Sequence, residues 1–297
     1  MGHKDILWKW VLEWVLDDLL RFVFPNADQV FDLQKDVGFL DKELAEIYTE
    51  KDKRADVRFV DKLVKVFRKD GGEEYVLIHI EVQDYTKSDE RPMFPARMFR
   101  YFYKCLDRHN KPVAAIAIFC GPDGRKLESE YQYEFLGTSL QYRYTILRIL
   151  DYSDEELGNS SNPFAWVVLA AKYALLSGRD LDSKLLEGKL FIFRRLYENG
   201  VFEKRKLQAV FKFLDNYVRF ENPETNRIFK ERIDEITHKK NTMDIFEAVT
   251  EMKIEEKLAE VVRKLLTDTE FSDDKIAYLA DVSVDFVREV KDELKNK

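Results

Sequence analysis

Glycine, proline and cysteine are all scarce in this chain. Its 297 residues include 11 Gly and 7 Pro, and so few helix-breaking residues predict long regular elements with few flexible linkers. The two cysteines, Cys105 and Cys120, have neither metal-binding nor redox spacing and lie among apolar neighbours. We therefore expect both to be buried thiols.

Long apolar runs are also missing. No stretch reaches the ~18 apolar residues of a membrane span, and no apolar segment follows a basic start, so we expect a cytoplasmic protein with no membrane partner. The net charge of −7 by itself disfavours nucleic acid, because phosphate binding depends on Lys and Arg. That argument is weak for an enzyme that binds a metal ion, because such an enzyme needs acidic ligands at its centre and only a local basic surface.

What the chain does contain is a large apolar fraction, 45%, which is enough for a sizeable core. Its periodicity predicts an amphipathic helix, a second short helix, three strands, another helix and a buried strand. These elements span 5–24, 41–48, 54–60, 63–68, 74–83, 95–108 and 113–119. The predicted turns are Asp61–Lys62 and Lys69–Gly72.

Beyond this core, two more strands and then helices are predicted. The strands span 131–135 and 141–149 and are expected to extend the same sheet. The helices span 164–176, 184–198, 203–220, 224–237 and 243–266. The fold class is therefore α/β, with a sandwich around a mixed sheet followed by an all-helical C-terminal region. We expect three parts, 1–157, 158–240 and 241–297, the last ending in a small helical pair.

Two polar residues end the third predicted strand. Alternation along 75–83 puts Glu81 and Gln83 on one face, together with His79. Asp56 lies on the first predicted strand of the same sheet. Two carboxylates from adjacent strands can share a hard divalent cation such as Mg²⁺ or Mn²⁺. The alternative is that both acids are ordinary solvated edge residues.

The helix predicted at 95–108 has two different faces. An apolar stripe of Met98, Phe99, Phe102 and Leu106 is expected to face the core. Arg97, Arg100, Tyr101, Lys104 and Arg108 follow helical spacing on the other side, a pattern suited to a DNA backbone. A solvated charged face remains the alternative.

Several short motifs, in this order and spacing, resemble the recombination-promoting nuclease and transposase-related family of the PD-(D/E)XK nuclease superfamily. The matching segments are His3–Lys9, Arg54–Val57, Ile78–Gln83, Met93–Tyr101 and Lys111–Gly121. They carry the Asp, the Glu-x-Gln and the Arg-x-x-Arg-Tyr helix found in that bacterial family. The resemblance covers residues 1–125 well and the C-terminus loosely.

The resemblance implies a restriction-endonuclease-like core of helix, three strands, helix and strand. It also implies magnesium-dependent DNA endonuclease activity linked to recombination or transposition-like processes. By matching positions, Asp56 and Glu81 would be metal ligands, and Gln83 stands where the superfamily has Lys. A Gln lacks that positive charge but can orient water. Glu13 on the first helix is a candidate outer acid.

Other interpretations stay open. The chain could be a non-catalytic DNA-binding or interaction protein on a decayed nuclease fold, since Gln83 replaces the Lys. The last residues, 271–297, have the outline of a helix-turn-helix, closed by Ile276, Leu279, Phe286 and Val287. Only Arg288 is basic at the start of its second helix. We therefore favour packing or homo-oligomerisation for this tail over DNA contact.

Overall fold

A computed structural model of the chain describes residues 3–35, 37–40, 60–70, 75–83, 94–121, 128–176, 180–199, 202–236, 258–259, 261–269, 271–280 and 282–295. For residues 60–61 and 75–83 the structure describes the backbone and its strand pairing. The predicted short helix at 41–48, the predicted strand at 54–59 and residues 243–257 of the predicted long helix lie outside the described residues. The chain divides into two compact units, 1–233 and 234–297.

Seven strands are described in the first unit. They are β1 Gly38–Phe39, β2 Val60–Phe67, β3 Tyr75–Gln83, β4 Val113–Phe119, β5 Glu130–Phe135, β6 Thr138–Arg143 and β7 Thr145–Arg148. The main sheet has the order β1-β2-β3-β4-β7, in which β2 is antiparallel to β1 and β3, whereas β4 is parallel to β3 and β7. Strand β4 is a continuous apolar run that is half-buried at its start and buried from Ala115, as expected of a central parallel strand. The predicted mixed sheet is therefore confirmed.

The predicted turn at Asp61–Lys62 is wrong. Strand β2 passes through both residues without interruption, and Lys62 is only 1% exposed. Two consecutive charged residues, Asp61 and Lys62, are typical of a turn in a sequence read by itself. A buried lysine with a counterion on a packed helix, described below, fits inside a strand just as well.

The two strands predicted after β4 are arranged differently from expectation. Residues 130–143 form a separate two-stranded antiparallel hairpin of β5 and β6, and only the short β7 joins the main sheet. Leu136 and Gly137 form the hairpin turn with φ of 44° and 80°. Positive φ at both central residues is typical of the primed turns that match strand twist.

Nine α-helices are described between residues 3 and 236. They are α1 His3–Trp14, α2 Leu16–Val23, α3 Ala27–Val30, α4 Phe94–His109, α5 Asp154–Gly158, α6 Pro163–Tyr173, α7 Leu181–Asn199, α8 Lys204–Tyr217 and α9 Pro223–Ile236. The single helix predicted at 5–24 is wrong in one respect, because the chain breaks at Val15, whose φ is −123°. The helical C-terminal region is confirmed: every described element after 151 is helical.

The main sheet is covered by helices on both faces. On one face, Phe94 and Met98 of α4 pack against Ala115, Ala117 and Phe119 of β4. On the other face, α1 packs against β2 and also against α8. The α/β sandwich expected from the sequence is therefore present, and α1 is shared between the sheet and the later helices.

Charged side chains also join α2 to α8. The Lys206 Nζ donates to Asp17 at 2.6 Å and lies 2.7 Å from an Asp18 carboxylate oxygen. Burial raises the pKa of Asp18, although Lys206 opposes this change. Burial acts on Asp17 in the same direction, but its bonds to Lys206 and Arg21 outweigh it and lower the pKa of that carboxyl. The network therefore holds two partly buried acids with one shared lysine.

The second unit has its own small core. Helical residues 258–259 and 261–268 precede α10 Asp273–Ala280 and α11 Val284–Lys295. The core includes Ile276 and Val287, with Phe286 packed against it, whereas Leu279 is 48% exposed, so its predicted place in the core is wrong. Ser272 and Ser283 cap the two helices, with hydroxyl oxygens that accept from backbone N–H groups.

Two expectations from composition can be checked directly. Cys105 and Cys120 are both buried free thiols, and burial raises the pKa of Cys105 to about 11. Among the helices that the structure describes, none is both long and apolar enough to cross a membrane.

Candidate functional site

The Glu81 and Gln83 positions lie at the C-terminal end of β3, between an antiparallel and a parallel neighbour. Their Cα partners on β4 are Ala117 and Phe119. Those two residues pack against α4, so the register assigns the two polar positions to the sheet face that α4 covers. The basic helix and the predicted acidic strand end therefore belong to the same side of the sheet.

An acidic residue that the sequence analysis did not single out lies opposite Glu81. Asp61 on β2 is the Cα partner of Glu81 in the antiparallel pair. Directly opposed residues in such a pair have Cα atoms roughly 5 Å apart and share a face of the sheet. Asp56, the predicted metal ligand, lies outside the described residues. Placing the strand through 61–62 rather than a turn there would have revealed this pairing from the sequence.

Glu13 is engaged elsewhere. Its carboxylate accepts a hydrogen bond from Lys62 Nζ, whose side chain is 1% exposed and lies over the Phe39 ring at 4.7 Å. Lys62 and Leu63 are consecutive on β2, and Leu63 packs with Tyr101 and Cys105 of α4. Since consecutive strand residues face opposite sides, the Glu13–Lys62 pair lies on the α1 face. The structure does not bring Glu13 together with the Glu81 and Gln83 positions.

This arrangement predicts a particular pattern for variants at Glu13. E13A should destabilise the fold by about 2 kcal/mol, because it removes a carboxylate that balances the charge of the buried Lys62 ammonium. The double variant E13A/K62M should recover most of that loss, since no buried charge remains. Urea unfolding of the single and double variants measures both effects.

The same two variants distinguish a structural role of Glu13 from a catalytic role. If Glu13 only balances Lys62, the recovered double variant keeps the nucleic-acid-processing activity proposed below. A stable double variant that has lost this activity would instead support the predicted outer-acid role. Equal stability of E13A and the wild type would contradict the ion-pair account.

Three of the predicted DNA-contacting residues lie along the outer part of α4. Arg97, Arg100 and Lys104 are each partly exposed and follow the spacing of one helix face. The guanidinium of Arg97 lies 5.0 Å over the Phe94 ring, which is 5.0 Å from that of Phe119. Because Phe119 is the partner of Gln83, the first turn of α4 lies at the same end of the sheet as the predicted acids.

Tyr101 does not belong to that face, and its predicted place there is wrong. The side chain is 0% exposed and packs with Leu63 and Cys105 against the sheet. A contact with DNA is impossible for a side chain without exposed surface. The predicted core stripe is also shifted, since Leu106 is 38% exposed and Cys105 is buried in its place.

A cavity of about 380 Å³ lies far from the Glu81 end of the sheet. Its lining includes Val113 and Ala114 at the start of β4, Thr145 at the start of β7, and the aromatic rings of Phe102 and Tyr142. These residues are at the N-terminal ends of the two parallel strands, whereas Glu81 and Gln83 are near the C-terminal end of β3. The cavity is therefore separate from the candidate site.

The described side chains do not by themselves form a metal site. Within that part of the chain, no group of three or more His, Cys, Asp or Glu side chains is arranged to hold an ion. The side chains of 61 and 75–83 are outside that set. The Asp61–Glu81 pairing thus follows from the backbone register, which places two acidic residues opposite each other.

Comparison with known proteins gives no relative for this chain. It matches no protein-family model, no curated protein and no solved structure. The resemblance to the nuclease family therefore rests on the sequence motifs alone.

Proposed function

We propose that this chain is a magnesium-dependent DNA endonuclease of the PD-(D/E)XK type, with the Glu81 end of β3 as its catalytic centre. The observation that carries the proposal is the arrangement of elements around β3. The described elements run from α1, α2 and α3 through the antiparallel strands β1, β2 and β3 to α4 and the parallel strand β4. This order supports the helix, three strands, helix and strand that the resemblance implies. The Glu-x-Gln motif ends the third of these strands, opposite a second acid.

The residue types at this strand end suit a hard divalent cation. Carboxylate oxygens are the ligands that Mg²⁺ prefers, and Asp61 and Glu81 are paired positions on neighbouring strands. Asp56 remains a predicted ligand from the resemblance. A bound Mg²⁺ supplies a water of lowered pKa and stabilises negative charge on a phosphoryl group. In this proposal Glu81 holds the ion together with one of the two aspartates.

The remaining roles fall to uncharged and basic residues. Gln83 can orient the attacking water by hydrogen bonding, but it cannot supply the positive charge of a lysine. Arg97 and Arg100 suit phosphate oxygens, since a guanidinium donates in a fixed fork. Both lie on α4, which covers the same sheet face as the Glu81 position.

The experiment that tests the proposal is plasmid digestion by the purified full-length chain. With Mg²⁺ or Mn²⁺ we expect supercoiled plasmid to become nicked and linear, and with chelator we expect it to stay intact. Absence of cleavage with either ion, by protein that unfolds cooperatively, would overturn the enzymatic proposal.

A second candidate function is non-catalytic DNA binding on a decayed nuclease fold. It is favoured by two observations: Gln83 stands in place of the expected lysine, and Glu13 is bonded to Lys62. This candidate predicts DNA binding that is the same with chelator as with Mg²⁺, and no cleavage. Plasmid digestion separates the two functions.

Replacing Arg97 and Arg100 together by alanine should weaken DNA binding about equally for unrelated sequences. Contacts to phosphate carry no sequence information, and each lost contact should flatten the plot of log affinity against log salt by about one unit of slope. Titrations of labelled duplexes over a range of salt concentrations measure this slope. An unchanged slope in the double variant would show that these arginines do not contact phosphate.

A further inference from the structure

A row of aromatic rings runs from helix α4 onto the β5–β6 hairpin. We name it the aromatic strip, and it consists of Phe99, Tyr103, Tyr131, Tyr133 and Phe135. The Phe99 ring is stacked on both Tyr103, at 6.3 Å and 29°, and Tyr131, at 5.2 Å and 17°. From Tyr131 the strip continues along β5, because every second residue of a strand lies on the same face.

The outer part of the strip is exposed to solvent. Tyr103 is 53% exposed, Tyr133 45% and Phe135 61%, and Leu136 at the hairpin turn is 88% exposed. Inner rings anchor the strip, since Phe99 and Tyr131 pack against the cluster that includes Phe94 and Tyr142. Contiguous exposed apolar surface of this kind typically marks a binding site.

The helix that carries the inner part of the strip is basic, although the whole chain carries −7. Helix α4 contains four basic residues, Arg97, Arg100, Lys104 and Arg108, and its one acid is Asp107. The acids of the hairpin lie on its other face: Glu130 and Glu134 alternate with the strip residues of β5. Glu130 also accepts a hydrogen bond from Arg143 at 2.7 Å.

We propose that the aromatic strip binds unpaired bases of single-stranded DNA, with the phosphates along Arg100 and Lys104. Parallel rings next to basic residues suit a single strand, because each base offers a flat face for stacking and every phosphate is negative. Bases of an intact duplex are stacked on each other and offer no such face. The inference deepens the proposed function by naming a single-stranded or frayed substrate, and its cleavage aspect rests on that function.

The test is DNA binding by the full-length chain in chelator, where no cleavage can occur. The probes are a fluorescein-labelled oligo(dT) of about 20 nucleotides and a duplex of the same length, followed by anisotropy. Loss of one stacked base corresponds to roughly a tenfold change in affinity, so Y133A/F135A should bind oligo(dT) about 100-fold more weakly. Its affinity for the duplex should change by less than about threefold, because duplex contacts are to phosphate.

Two control variants make the result specific. Y278A removes a tyrosine that is 78% exposed in the second unit and should bind both probes like the wild type. Y133F/F135Y keeps both rings and should keep oligo(dT) binding. R100A/K104A should weaken binding of both probes.

The outcomes that overturn the inference are distinct. Wild-type protein that does not bind oligo(dT), or Y133A/F135A that binds it as tightly as the wild type, shows that the strip does not take bases. If oligo(dT) binding is unaffected while light scattering shows that Y133A/F135A turns a dimer into a monomer, the strip is a self-association surface. Binding that depends on the rings without any plasmid cleavage leaves this inference standing and removes the nuclease proposal.

Discussion

Replacing Glu81 by alanine is expected to reduce divalent-dependent plasmid cleavage by about 10³-fold or more. Loss of a metal ligand removes both ion affinity and charge stabilisation, and about 4 kcal/mol of lost transition-state stabilisation corresponds to that factor. The fold should be unaffected, because fewer clustered acids means less repulsion between them. Initial rates of nicking, measured beside thermal unfolding, give both quantities.

Companion variants identify the acid that acts with Glu81. Asp61→Asn and Asp56→Ala should differ, with the larger loss of cleavage at the true second ligand. Asp70→Ala is the matched control, since Asp70 follows the other end of β2 and pairs with Arg68 at the surface. If Glu81→Ala cleaves at the wild-type rate, the catalytic centre lies elsewhere in the chain.

A large effect on stability is expected from Asp215→Ala. The Lys189 side chain is 2% exposed, and its Nζ donates to the Asp215 carboxylate at 2.9 Å and to the Val218 carbonyl at 3.2 Å. It also lies 4.5 Å over the Phe229 ring and 5.0 Å over the Phe220 ring. Without the Asp215 carboxylate, the buried Lys189 ammonium would keep only its contacts to backbone carbonyls and to the two aromatic rings. We expect a loss of about 3 kcal/mol in the free energy of unfolding, at the lower end for a broken buried pair because Asp215 is partly exposed.

The opposite replacement should behave differently. Lys189→Met removes the charge and fills similar volume, so its free energy of unfolding should stay within about 1 kcal/mol of the wild type. Asp215→Ala/Lys189→Met should be close to Lys189→Met alone. A loss from Lys189→Met as large as that from Asp215→Ala would contradict the buried-charge explanation.

The cost of Asp215→Ala should also depend on pH. Burial lowers the pKa of Lys189 below its usual 10.5, and Asp215 opposes that change. A lysine with a lower pKa in the folded protein binds fewer protons there, so its protonation favours unfolding. The destabilisation caused by this buried charge is complete below the folded-state pKa of Lys189. It disappears as the pH rises from that pKa to 10.5. Without Asp215 the folded-state pKa falls further, so unfolding at pH 7 and near pH 10 should show a smaller loss at the higher pH.

Strong local patterns gave correct predictions of the central elements. Strands β3 and β4 and helix α4 were predicted to within one or two residues, because alternation, a continuous apolar run and Pro95 each mark them locally. The helices after 163 follow the same rule. The ends of these four helices lie within three residues of the predicted ends. The first of them is apolar on all sides and is marked by Asn162 and Pro163, and the fourth is marked by Asn222 and Pro223.

The wrong predictions concern residues whose burial depends on a partner far away in the sequence. Lys62 looks like a turn residue until Glu13, 49 positions earlier, is placed against it. Tyr101 has the spacing of an exposed face, but Leu63 covers it from β2. The exposed tip of the β5–β6 hairpin could not be foreseen either, because alternation predicts two faces without saying where the supporting helix ends.

Helix α1 completes its packing on a part of the chain that is made much later. The Trp8 Nε1–H donates to the Tyr217 hydroxyl at 3.2 Å, across 209 positions, and Phe213 lies against the same indole at 5.2 Å. At about 5–20 residues per second, a ribosome needs roughly 10–40 s to make the intervening chain. During that time the side of α1 that packs against α8 has no native cover, so its aromatic surface stays exposed on the nascent chain until α8 has been made. A fragment that stops near 157 would keep that surface uncovered permanently, because it lacks α8.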